Sequence, residues 1–162
     1  MYSNLPVSVR VPEWYEITVP PYWVCRAKEF AQKIIKTSNR RSQATKFHKK
    51  ALNGGQDFPA RLAEIAACIF YGIDPEKLKW DAEKPDAGYD IKLNGWLVDV
   101  KSSEHPAARN VIWPLTDLDS FDRKNFNVLL GTKVIAEWDG ALAWVTLFGV
   151  IEKSEFREKH VI

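Results

Sequence analysis

Residues 90–101, DIKLNGWLVDVK, decide how this chain folds. Asn94-Gly95 suits a two-residue type I′ turn, whose central positions both require positive φ. Such a turn fixes the pairing of its flanks: Leu93 with Trp96, Lys92 with Leu97, Ile91 with Val98, and Asp90 with Asp99. Side chains alternate along a strand, so Ile91, Leu93, Trp96, Val98 and Val100 share one face and offer a core surface. Asp90, Lys92, Leu97, Asp99 and Lys101 share the other. Counted outward from the turn, Asp90 and Asp99 form a non-hydrogen-bonded pair, with Cα atoms about 4.5 Å apart. Like charges directly opposite destabilise a sheet, so a cation belongs between them. Lys92 or Lys101 would serve. A divalent metal would serve as well, because two carboxylates and a backbone carbonyl form a hard, oxygen-rich donor set.

Upstream of the hairpin, PARLAEIAACIFYGIDP reads as a helix, with Pro59 suited to its first turn and Gly72 to its C-terminal cap. From Leu62 to Ile73 its only charge is Glu64, and a helix apolar on nearly all sides is a buried one. A buried carboxylate needs a partner. Arg61 at the helix margin is one candidate and a shared site with the hairpin aspartates is another. Earlier still, YEITVP predicts a short strand. A helix follows from about Tyr22 to Thr37, with Trp23, Ala27, Phe30, Ala31, Ile34 and Ile35 as its buried stripe. SNRRSQATKFHKKAL predicts a second, more exposed basic helix, broken by NGGQDFP. Downstream, NFNVLLGTKVIAEW and ALAWVTLFGVIEK predict two apolar strands joined tightly at Asp139-Gly140. KSEFREKH closes the chain as a short polar helix. Helices, a hairpin and further strands make an α/β or α+β domain.

The chain has 162 residues, 46% of them hydrophobic, enough for one domain around one core. Seven Trp, eight Phe and five Tyr argue against disorder. The N-terminus lacks the basic start and apolar core of a secretory signal, and no apolar run approaches the roughly 20 residues of a membrane helix. Cys25 and Cys68 have no paired spacing and read as buried free thiols in a reducing cytosol. Residues 26–50 hold nine Lys or Arg and one acid, a local charge of +8, against −6 for the remainder. That split predicts a face for a polyanion, the alternative being a solvated helical surface. His48 and His105 read as an exposed basic-face group and a loop residue.

Taken together, Glu64 on a helix, Asp90, and Asp99-Val100-Lys101 on the next strand resemble the PD-(D/E)xK nuclease superfamily, whose phage-type members are included. The element order is similar too: helix with Glu, strand with Asp, strand with Asp-x-Lys, helix, then further strands. The resemblance covers roughly residues 60–150. It implies a restriction-endonuclease-like core, a central mixed β-sheet flanked by helices, within a single domain spanning 1–162. Residues 1–58 would be a helical basic N-terminal part, 59–150 the catalytic core and 151–162 a C-terminal helix. It further implies a metal-dependent nuclease that hydrolyses phosphodiester bonds in DNA, with RNA as an open alternative. Asp90, Asp99, the Val100 carbonyl and Glu64 would hold Mg²⁺ or Mn²⁺, with Lys101 completing the catalytic set. Pro85-Asp86 is a literal PD pair, so Asp86 competes with Asp90 for the metal role; Asp90 is preferred because it faces Asp99. Arg40, Arg41, Lys46, Lys49 and Lys50 would hold the phosphate backbone, with Ser102 beside the motif as a further contact. A cytoplasmic location, the host cytoplasm for a phage-encoded member, and no membrane partner are expected; a homodimer is open. A non-catalytic nucleic-acid-binding module of the same fold is the alternative reading.

Overall fold

The computed structural model describes residues 5–40, 57–83, 87–103, 118–137 and 139–160. The hairpin forms as its turn chemistry demands. Strands β2 (Ile91–Leu93) and β3 (Trp96–Ser103) pair antiparallel with Leu93 opposite Trp96, Lys92 opposite Leu97 and Ile91 opposite Val98. Asn94 and Gly95 take φ of 48° and 87°, the left-handed pair a type I′ turn needs.

Around this hairpin lies an α+β architecture with a mixed five-stranded sheet. Its order is β1 (Tyr15–Val19), β5 (Ala143–Glu152), β4 (Val128–Ala136), β3, β2. Only β3 and β4 run parallel. β4 is central, and its first five residues are all buried, as expected of a strand covered on both faces. Pairing of β4 with β5 shifts between Gly131 and Thr132. The bulge leaves Phe148 outside the ladder, where its ring meets Trp14 at 4.9 Å.

Helices cover both faces. Helices α1 (Pro21–Arg40) and α2 (Asp57–Tyr71) supply Val24, Ala27, Leu62, Ile65 and Ala66 to the main core. There they join Ile91, Val98, Val100, Val128 and Leu130 from the sheet. Gly72 at φ 71° ends α2, and Asp74 caps a 3₁₀ turn, Pro75–Lys77, by accepting from the Glu76 amide. On the opposite face a smaller cluster of Phe121, Phe126, Leu129 and Phe156 packs under α3 (Leu118–Arg123) and α4 (Lys153–His160).

Four expectations are corrected. Ser38, Asn39 and Arg40 belong to α1, which outruns its predicted end because nothing before Arg40 breaks it; the rest of the expected basic helix lies outside the described residues. Ala136 pairs with Ala143, so the ladder closes there and not at a tight Asp139-Gly140 turn. Gly140 instead closes a turn onto the Glu137 carbonyl at 3.1 Å, the final position of a four-residue turn, where glycine is also favoured. Cys25 is exposed, on the outer side of α1, whereas Cys68 is buried and its thiol is pushed up to about 12 by that burial. Finally, the ladder stops at Ile91, so Asp90 does not stand across from Asp99 as a strand partner.

No helix among the described residues is long and apolar enough to cross a membrane.

Candidate functional site

The shortness of β2 creates the site. Beyond Ile91 opposite Val98, the outer edge of β3 has no ladder partner among the described residues. Asp90 fills part of that gap. Its amide donates to the Val98 carbonyl at 2.9 Å, and its Oδ2 accepts from the Val100 amide at 2.7 Å. A side chain thus stands in for a missing strand, satisfying a backbone donor that would otherwise be orphaned. Two residues before Asp90, Gly88 (φ 85°) packs so closely that a Cβ there would come within 2.7 Å of the Asn125 amide nitrogen.

An open edge lets carboxylates from both faces of the sheet meet. Asp99 pairs with Leu129 and lies on the phenylalanine-rich face, only 3% exposed. Glu64 comes from α2 on the main-core face; its side chain is 15% exposed and near enough to Asp90 for each to perturb the other's ionisation. Lys101, two residues beyond Asp99, places its Nζ 3.1 Å from Asp99 Oδ2. That oxygen is buried and accepts no well-formed hydrogen bond besides this ion pair. Arg61 holds Glu64 from the other side at 3.1 Å. Its guanidinium donates to the Lys79 carbonyl at 2.7 Å and packs over the Phe30 and Trp80 rings at 3.9 and 4.8 Å.

Burial makes all three carboxyls hard to ionise. Desolvation raises Glu64, opposed chiefly by Arg61. Asp90 rises well above the usual carboxylate range, first through burial and then through the neighbouring Glu64. Burial and then Asp90 push Asp99 up to about 6, against the pull of Lys101 and Lys124. Perturbation of this kind, shared by several groups in one place, is a mark of functional sites and also of structural ion clusters. Chemically, the cluster is a set of hard oxygen donors short of positive charge, with one ammonium group beside it. The donor chemistry fits a divalent metal. The side chains as placed do not close around one: among the described residues, no three His, Cys, Asp or Glu form a ready metal-holding group.

Glu64, Asp90, Asp99 and Lys101 are therefore brought together, and both candidate partners of Glu64 prove to be real neighbours. Ser102 is exposed on β3 next to them. Arg40 ends α1. Arg41, Lys46, Lys49, Lys50, His48, His105 and the competing Asp86 lie outside the described residues. Lys124 near Asp99 and Lys79 beside Arg61 escaped the sequence reading. Each comes from a loop remote in sequence, and no spacing rule links them to the hairpin. No family model, curated protein or solved structure matches this chain.

Proposed function

We propose that this chain is a metal-dependent nuclease hydrolysing phosphodiester bonds in DNA, built on a restriction-endonuclease-like core. One observation carries the reading: Glu64 from α2, Asp90 from the chain just before β2, and Asp99 and Lys101 from β3 converge at the edge of β3. The order α2, β2, β3, α3 and then β4 parallel to β3 supports it.

Asp90, Asp99, the Val100 carbonyl and Glu64 would hold Mg²⁺ or Mn²⁺, which supplies an acidified water and charge stabilisation at the phosphoryl group. The crowding of three buried carboxyls favours taking up such an ion, since Arg61 and Lys101 offset only part of their repulsion and all three remain raised. The Val100 amide already orients Asp90 at that edge. Lys101 stands where it can steady negative charge on a phosphoryl oxygen or orient the attacking water. Arg61 keeps Glu64 aimed inward from a guanidinium that is itself fixed by Lys79 and two rings. Arg40, Arg41, Lys46, Lys49, Lys50 and Ser102 would contact the phosphate backbone.

The alternative is a DNA-binding module that keeps this arrangement without chemistry, favoured by carboxylates that do not close into a ready cage. Cleavage assays separate the two. Purified protein should cut DNA with Mg²⁺ or Mn²⁺ and not with EDTA, and Lys101→Ala should lose most of that activity. DNA binding without cleavage under any metal would assign the module instead. Replacing Arg40, Arg41, Lys49 and Lys50 together by Ala should weaken DNA binding and flatten its salt dependence, as fewer counterions are released. An unchanged salt slope would make the basic segment a solvated surface.

A further inference from the structure

Between α1, α2 and the chain leading into β2 lies a cavity of about 310 Å³, with Glu64 and Asp90 in its wall. Its chemistry is divided. Phe30, Ile34 and Tyr89 give it an apolar side, while the cations Arg61 and Lys79 are set against the acids Asp57, Glu64 and Asp90. Lys79 and Ala87 are exposed at its rim, and Lys33 and Lys36 on the same stretch of α1 face solvent.

We propose that this cavity seats one unpaired nucleotide of the DNA substrate, so that the protein acts on single-stranded, frayed or terminal nucleotides in preference to intact duplex. The inference rests on the nuclease reading above and specifies its substrate. Size is the first argument. The cavity sits at the small end of the roughly 300–1,000 Å³ range of ligand pockets, room for one base with its sugar and not for a double helix. Composition is the second. Proteins that take a base out of its stack hold it between aromatic or apolar side chains, with polar groups reading its edge. Half-buried Tyr89, which also packs against the phenylalanine cluster, is the ring left to meet a base here, because the Arg61 guanidinium covers buried Phe30 at 3.9 Å; Ile34 adds apolar lining and Arg61, 7% exposed, the adjoining positive charge. Position is the third. Tyr89 is adjacent to Asp90 in the chain, so a base seated against it brings the attached phosphate to the carboxylate edge. The exposed Lys79 at the rim is placed to meet that phosphate or the next.

The test uses the full chain with Ca²⁺ in place of Mg²⁺, an ion that accepts looser geometry and favours binding over cutting. A single-stranded oligonucleotide carrying one 2-aminopurine is titrated against the same sequence as a blunt duplex. Seating predicts a change in 2-aminopurine fluorescence and tighter binding of the single strand. Filling the cavity from either wall, by Ile34→Trp on α1 or Ala60→Phe on α2, should weaken single-strand binding about 5- to 150-fold, the range for losing one stacked base. Binding of the duplex should change little. Two variants on different helices guard against one misfolding, and thermal melts identify any that does. Equal affinity for both DNA forms, with filled variants binding like wild type, overturns the inference. Mg²⁺-dependent cleavage that is blind to strand form and to filling overturns it too, while leaving the nuclease reading intact. A strand that seats in the cavity but is never cut supports the cavity and removes the nuclease.

Discussion

The two faces of β3 bury different things. On one face Val98 and Val100 sit in the main core beneath α2, beside Val128 and Leu130 of β4. On the other, Asp99 and Lys101 alternate with them, Asp99 as buried as the valines yet lying beside Leu129 of the small phenylalanine cluster. The first face gains stability from every atom it hides. The second hides a charge that water would rather hold, held by an ion pair to Lys101 and the more distant pull of Lys124. A protein under selection for stability alone would put an aliphatic residue at position 99. The difference separates the part of the strand that holds the fold from the part proposed to do chemistry.

The largest expected effect lies on the apolar face. Leu130→Ala should cost about 2–5 kcal/mol, the range for truncating a fully buried leucine. Because no titrating group is lost, the cost should be the same at pH 4.5 and pH 8, with or without Mg²⁺. Chemical denaturation at both pH values checks this, and a strongly pH-dependent loss would mean the two faces are not energetically separate.

The polar face should behave in the opposite way. Asp99 is raised from 3.8 to about 6 by burial and by Asp90, so the folded state binds its proton more tightly than the unfolded chain does. Stability from that proton is present below about 4 and is lost as pH rises through about 6. Glu64 and Asp90 shift in the same direction, while Lys101 and Lys124 oppose it. Asp99→Asn should therefore raise the stability of metal-free protein at pH 8, by up to about 3 kcal/mol, with almost no gain at pH 4. Mg²⁺ should stabilise wild type, since it binds only the folded state, and stabilise the variant less. If Asp99→Asn melts earlier than wild type at pH 8 in EDTA, the carboxylates do not repel and Lys101 already neutralises them.

How much of this was legible in the sequence follows from the same contrast. The register from Leu93 to Val98 was readable because Asn94-Gly95 admits one turn and alternation admits one buried face. The convergence on Asp99 and Lys101 was readable because they share that register. What escaped was the end of the ladder. No residue between Tyr89 and Ile91 announces that β2 stops, because the cause is tertiary: Asp90 caps Val100, and Gly88 is pinned against Asn125 far along the chain. Asp139-Gly140 misled for a related reason. A turn dipeptide names a turn, but strand pairing sets where it falls, and here the ladder closes only at Ala136 and Ala143. The cavity beside Glu64 was invisible, since its walls come from four separate stretches of chain.

Two glycines near the hairpin give the finest test of what holds the site in place. Both have positive φ, 85° at Gly88 and 87° at Gly95, so alanine at either strains the backbone. Gly95 otherwise faces open space, with nothing within 4 Å of where a methyl would stand. Gly95→Ala should therefore cost only the left-handed penalty, about 1–2 kcal/mol, and leave the carboxylates where they are. At Gly88 the methyl would meet the Asn125 backbone at 2.7 Å, and neither side is a flexible side chain that can swing away. The loop must shift, and Asp90 is two residues on. Gly88→Ala should add up to about 1–3 kcal/mol of strain and, unlike Gly95→Ala, weaken the Mg²⁺-dependent rise in melting temperature. The ratio of the two Mg²⁺ shifts is the informative quantity, because it removes the penalty the two glycines share. Equal shifts would mean that the Asp90–Val100 hydrogen bond alone positions the carboxylate and that the packing behind it contributes nothing.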